Sequence, residues 1–222
     1  MNMPKLIFKK ETHQYFLEDK ELISVSRIID NYLGFGYSHI APEVLKNASV
    51  RGKWVHKLNE LYLQNINEEN IINNLLKKLK PLTNNINYSY CKKSLMFLKE
   101  KFKDKNNYEF IIERPINDSV IAGTPDLVYL DKKENKYYLV DYKTYACIDE
   151  DKLKRIKLQL TAYYWTIKSG QVGIDISDKT YVYLTNKNTQ QEIEIEVTNE
   201  LLIEWFKAKN KYFKGEDKNE TI

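Results

Sequence analysis

The residues whose types and spacing promise chemistry are Asp126, Asp141 and Lys143. The runs DLVYL and KYYLVDYKT read as two strands joined by the turn DKKENK. An antiparallel pairing of these strands sets the start of the first beside the end of the second, which brings Asp126 close to Asp141. Side chains alternate along a strand, so Asp141 and Lys143 share a face, while Tyr142 points away and its carbonyl lies between them. Two carboxylates aimed at one point repel unless a cation or a proton separates them. Oxygen-only ligation of that kind suits a hard, hydrated ion such as Mg²⁺ or Mn²⁺. The Lys143 ammonium would stand over a water held there.

Two helical columns add further groups. From Arg51 to Gln64 the apolar residues Trp54, Val55, Leu58, Leu61 and Tyr62 recur at spacings of three and four, the mark of an amphipathic helix. On that helix Gly52, His56 and Glu60 stack on one face, and Gly52 is expected to let the helix approach the sheet closely. His56 is either a metal ligand or a helix histidine with one hydrogen bond. Glu60 either orients His56 or is an exposed helix glutamate. A second helix, from about Asp151 to Lys168, lines up Arg155, Gln159 and Tyr163 one turn apart. A guanidinium, an amide and a phenol in one column suit phosphate oxygens and sugar edges; the alternative is that Tyr163 packs on the sheet. Glu113, on the strand before GTPD, points either into the same site or to the surface.

The elements that must position these groups follow from pattern. A hairpin of KLIFKK and QYFLED opens the chain. A short helix through RIIDNYL follows, capped by Ser24 or Ser26 and stopped by Gly34 and Gly36. A loop then leads to the helix of His56. The Asn- and Lys-rich stretch that follows holds IINNLLKKLK and YCKKSLMFLKEKFK, two helices separated by Pro81. YEFIIERPI, SVIAG, DLVYL and KYYLV read as strands of one sheet. The helix of Gln159, the strands TYVYLT and EIEIEV, and a helix from Asn199 to about Phe213 complete the fold, and the tail GEDKNETI is expected to fray.

Composition narrows the class. The 222 residues are 42% hydrophobic and 30% charged, with 7 Gly and 5 Pro, which excludes collagen-like and wholly disordered chains. The formal charge of +4 permits a polyanionic partner. The two cysteines, Cys91 and Cys147, are too few for a thiolate cluster or a disulfide framework. No apolar run approaches the roughly 20 residues that span a bilayer, and the start MNMPKLIFKK lacks a signal peptide's apolar stretch. A cytoplasmic location without membrane contact is expected.

GTPDLV followed by LVDYKT resembles the PD-(D/E)XK nuclease superfamily, with Asp126 as the first acidic residue and Asp141-Tyr142-Lys143 as the D-x-K element. Gly52 and His56 in RGKWVH, and Gln159 and Tyr163 in LQLTAYYW, are similar to the G-x-x-x-H and Q-x-x-x-Y elements of its RecB-type branch. The opening HQYFLEDKELISVSRII looks like that of the mitochondrial genome maintenance exonucleases and of related phage and bacterial nucleases.

The resemblance implies an α/β restriction-endonuclease-like fold with a central mixed sheet flanked by helices. It would be one domain over 1–222, with a helical insertion at about 66–104. It implies a divalent-metal-dependent deoxyribonuclease in which His56, Asp126, Asp141 and the Tyr142 carbonyl hold Mg²⁺ or Mn²⁺. Asp126, Asp141 and Lys143 are then catalytic, and Gln159, Tyr163 and Arg155 hold the strand. Relatives with an iron–sulfur cluster use four cysteines that this chain lacks, so no such cluster is expected. The branch favours exonuclease action on single-stranded DNA ends in replication, repair or recombination, with DNA and proteins of those processes as partners. A flap or branch endonuclease and an inert nucleic-acid-binding module are the rival readings. Segments 41–50 and 66–104 are candidates for an arch over a threaded strand.

Overall fold

The computed structural model describes residues 6–9, 11–34, 40–170 and 174–216. The opening hairpin is present as β1 (Leu6–Lys9) and β2 (Gln14–Leu17). It is extended by β3 (Lys20–Ser24), a strand that the sequence pattern had left unassigned. Ser24 then caps α1 (Val25–Leu33), its hydroxyl accepting from the Arg27 N–H at 3.2 Å. Gly34, at φ 66°, ends that helix in the left-handed conformation that a missing Cβ allows. Gly36 and the end of the tail lie outside the described residues.

The next helix begins well before its apolar pattern does. α2 runs Pro42–Gln64 with proline in its first turn. The residues before Arg51 are mostly exposed, so they carry no apolar period from which to read a helix. α3 (Ile71–Leu79) and α4 (Asn85–Lys101) pack on it through Leu75, Leu76, Leu79, Leu95 and Leu98.

The strands that follow divide between two sheets rather than forming one. β4 (Tyr108–Ile112), β7 (Leu127–Asp131) and β8 (Lys136–Lys143) join β9 (Ile176–Thr185) and β10 (Gln190–Glu196) in the order β10-β9-β8-β7-β4. In this sheet β8 and β9 pair in parallel and the other neighbours are antiparallel, so it is mixed. The parallel pair needs a crossover, which α5 (Glu150–Gly170) supplies. β5 (Ile116–Asn117) and β6 (Ile121–Gly123) leave this sheet and extend the hairpin in the order β1-β2-β3-β6-β5. Pro115, which has no N–H for a ladder, marks the departure. Asp118 folds the turn between β5 and β6 by accepting from the N–H groups of Val120 and Ile121 at 3.1 and 2.8 Å.

The larger sheet is the middle of three layers. Val128, Leu139, Val182 and Leu184 face α1, α5 and the last helix, α6 (Asn199–Glu216). Leu127, Tyr129, Val140 and Tyr142 face α2, α3 and α4. This is an α/β fold of mixed sheets flanked by helices. Among the described residues no helix is long and apolar enough to cross a membrane.

The contact between the end of α5 and β5 is tight, since a Cβ on Gly170 would lie 2.2 Å from the Asn117 carbonyl oxygen. Gly170→Ala should therefore destabilise the protein by about 1–3 kcal/mol, as overpacking does. Gly52→Ala should be neutral or stabilising by roughly 0.5–1 kcal/mol, since its Cβ would only touch Thr144 Oγ1 at 3.7 Å. Urea midpoints of the two variants check both; the second outcome replaces the close approach expected at Gly52 with an ordinary contact.

Candidate metal centre

The antiparallel register Leu127↔Val140 puts Asp126 and Asp141 at the next position of the ladder. There the Tyr142 N–H donates to Asp126 Oδ2 at 2.6 Å. Alternation along β8 buries Tyr142 among the α2–α4 side chains and leaves Asp141 and Lys143 on the α5 face. From α2, His56 reaches the same point. Its Nδ1 lies 3.1 Å from Asp126 Oδ1 and its Nε2 lies 3.1 Å from the Tyr142 carbonyl oxygen.

Burial alone would lower the His56 pKa, but the charge and hydrogen bond of Asp126 outweigh it and raise it to about 9. At neutral pH both ring nitrogens therefore carry protons and donate, one to the carboxylate and one to the carbonyl. Burial alone would likewise raise the Asp126 carboxyl. The His56 charge and hydrogen bond, with Lys143 and the Tyr142 N–H, hold it below the ordinary value instead.

Asp141 is paired with Lys143. Its Oδ2 lies 2.6 Å from Lys143 Nζ, and the carboxyl is only 5% exposed. Burial pushes that carboxyl up, with Lys143 opposing and Asp126 adding to the rise. Burial would lower Lys143, but Asp141 and its neighbours keep the ammonium protonated.

The third group within reach of His56 and Asp126 is Glu113. One ligand atom from each of these residues lies within 4.8 Å of the others. Donors about 2.1 Å from a central ion can be at most about 4.2 Å apart, and up to roughly 5 Å for a larger ion, so the three fit one coordination shell with little movement. One imidazole and two carboxylates also form a donor set able to hold a divalent metal ion. Sequence pattern left Glu113 open because nothing in its spacing distinguishes it. The deciding feature is backbone: Glu113 sits just past β4 at φ 45°, a left-handed conformation unusual for glutamate, while its N–H donates to the Asp126 carbonyl at 3.1 Å. A left-handed residue at the strand end turns the side chain out of the alternation that pattern reading relies on.

The remaining sequence candidates have different surroundings. Gln159 accepts from Lys143 Nζ at 3.2 Å and donates to the Tyr163 hydroxyl at 3.1 Å. Tyr163 is only 5% exposed and packs so closely on Gly123 that an added Cβ there would lie 2.4 Å from its ring. Of the column expected to meet a nucleic acid, Tyr163 is buried against the sheet and the half-buried Gln159 bonds Lys143. Arg155 is drawn to Asp30 of α1 in an ion pair. Glu60 accepts from Lys57 Nζ at 2.8 Å and from Gln64 Nε2 at 3.2 Å. A cavity of about 420 Å³ opens over the cluster, lined by Gly52, Lys53, His56, Lys57, Glu60 and Glu113. Of the two cysteines, Cys91 is buried and Cys147 exposed.

The model of the PD-(D/E)XK nuclease superfamily matches residues 32–218 of the chain. The chain belongs to that superfamily. Solved structures resemble it remotely. A candidate exonuclease from Eubacterium rectale is 14% identical, covering 83% of this chain and 76% of that one, with a TM-score of 0.47. A protein named SSO0001 is 14% identical, covering 86% and 76%, with a TM-score of 0.37. No curated protein matches the chain at significant similarity.

The raised His56 pKa has a consequence for stability in the metal-free protein. A group whose pKa rises on folding contributes fully below its unfolded value of 6.5, and that contribution is lost as pH climbs through about 9. Urea midpoints in EDTA should therefore fall across this window, and His56→Gln should flatten the fall. A wild-type profile no steeper than that of the variant contradicts the assignment.

Proposed function

We propose that the chain is a divalent-metal-dependent deoxyribonuclease of the RecB-type branch, resembling the mitochondrial genome maintenance exonucleases and acting on single-stranded DNA ends. In this reading residues 1–222 form one nuclease domain, with the α3 and α4 region as an insertion. The observation that carries it is the meeting of His56, Glu113 and Asp126 beside the Asp141–Lys143 pair, with His56 and Glu113 lining an open cavity.

His56, Glu113 and Asp126 would hold Mg²⁺ or Mn²⁺, with the Tyr142 carbonyl alongside and Asp141 linking the site to Lys143. When bound there, the ion supplies Lewis acidity toward a phosphate oxygen and eases deprotonation of water at neutral pH. Asp126 fixes His56 through Nδ1, and the Tyr142 N–H fixes Asp126, so the ligands are oriented before a substrate arrives. Lys143 holds its proton and presents a positive charge where negative charge develops on the attacked phosphate. Gln159 and Tyr163 act through Lys143: their hydrogen bonds aim the ammonium rather than grip the strand.

Digestion of end-labelled linear and of circular single-stranded DNA with Mn²⁺ tests the reading. Linear strands should be consumed and circles spared; cutting of circles supports the endonuclease alternative, and inertness toward both contradicts a nuclease. Lys143→Ala should reduce turnover by at least about a hundredfold, since it removes a contact made chiefly in the transition state. Glu113→Gln should weaken Mn²⁺ binding by about 10- to 100-fold, which calorimetric titration reads directly.

A further inference from the structure

Residues 66–104 hold eight lysines against four carboxylates, a net of +4 that equals the formal charge of the whole chain. The rest of the protein is balanced, so α3, α4 and their flanks carry its entire positive excess. Lys77, Lys78, Lys80, Lys92, Lys99 and Lys103 are exposed and pair with no carboxylate among the described residues. Lys101 differs, being tied to Glu192.

Part of this excess, through Lys93, reaches a turn at the same end of the sheet as Lys143, and the topology says why. β8 ends at Lys143, and its parallel neighbour β9 pairs Leu184 with Lys143, so the turn after β9 emerges at the same end of the sheet. Three residues at about 3.3 Å each and one strand spacing of about 4.8 Å put Lys187 on the order of 10 Å from Lys143. The turn is rigidly built: Asn186 Oδ1 accepts from the N–H groups of Asn188 and Thr189 at 2.8 and 2.7 Å, leaving Lys187 exposed at its tip. Lys93 of α4 donates to the Lys187 carbonyl, and Lys92 is its exposed neighbour.

A connection runs from there back to the cavity. One turn before Lys93, Tyr90 lies under the Arg51 guanidinium, with Cζ 4.7 Å from the ring centroid. Arg51 in turn donates to the Thr144 carbonyl at 3.3 Å and adjoins Gly52 in the cavity wall, beside Lys53. Tyr90 is itself buried, so it serves to seat Arg51. Lys53, Arg51, Lys93 and Lys187 thus form a basic track that leaves the cavity.

We propose that the substrate strand, on leaving the cavity, crosses Arg51 to the rim made by Lys92, Lys93 and Lys187, which binds phosphates beyond the one attacked. The inference rests on the nuclease reading and adds a second contact surface to it. Phosphates of a single strand release counterions on meeting lysines, so the contact is legible as salt dependence.

The test measures binding of a fluorescein-labelled oligothymidylate across a salt series, with Lys143→Ala present in every protein to suppress cleavage. The triple variant Lys92→Gln, Lys93→Gln, Lys187→Gln should lose about 2 from the slope of log K against log salt, and bind at least about tenfold more weakly near 0.1 M salt. The variant Lys77→Gln, Lys78→Gln, Lys80→Gln removes the same charge from α3 and its end, and should change binding far less. Equal losses in both triples, or no loss at the rim, overturns the track while leaving the nuclease reading intact. Failure of the parent protein to bind any oligonucleotide overturns both. Unchanged thermal melting of the two triples ties the losses to binding rather than folding; Lys93, half-buried and bonded to the Lys187 carbonyl, is the position this control guards.

Discussion

A buried carboxylate must be met by positive charge or hydrogen-bond donors, and Asp126 is where this protein faces that demand. It sits where the polypeptide passes from the smaller sheet into the larger one, between β6 and β7, with its side chain 13% exposed. The Tyr142 N–H and the protonated His56 ring answer it. The proton on His56 takes the electrostatic role that a divalent cation would take in the proposed reading, so metal binding there would release that proton.

The rest of the architecture follows from bringing three elements to that point. α2 must cross the sheet end to deliver His56, β4 must stop and turn left-handed to deliver Glu113, and β8 must end beside β7 to deliver Asp141 and Lys143. α5 then lies against the face that Asp141 and Lys143 share, and Gln159 and Tyr163 fix the lysine from that side. Gly123 belongs to the same arrangement, because the Tyr163 ring occupies the space where its side chain would be. Lys143 is thereby held from both directions, by a carboxylate and by an amide. A freely moving ammonium would have to surrender more entropy to reach one geometry.

Much of this was legible in sequence where a periodic rule applies. Alternation in β8 places Asp141 and Lys143 together, and the hairpin register puts Asp126 opposite, because both follow from the two-residue repeat of a strand. Helical spacing identified the α2 face that carries His56. The rule gave out where structure departs from periodicity. The first turns of α2 are exposed and show no apolar stripe, β3 is a short strand of mixed polarity, and β5 and β6 join another sheet after a proline break. Glu113 could not be placed from alternation because its backbone leaves the strand conformation. Gln159 and Tyr163 were correctly set on one helical face, but spacing alone says nothing of whether that face looks out toward a ligand or inward to Lys143.

The central claim is that His56, Glu113 and Asp126 are the ligands of one divalent ion. A crystal soaked in Mn²⁺ and measured at a wavelength where manganese scatters anomalously tests it most directly. The account predicts an anomalous peak about 2.1 Å from a His56 ring nitrogen and from oxygens of Glu113 and Asp126. A peak elsewhere, or none in the presence of ordered His56 and Asp126 side chains still bonded to each other, would contradict it.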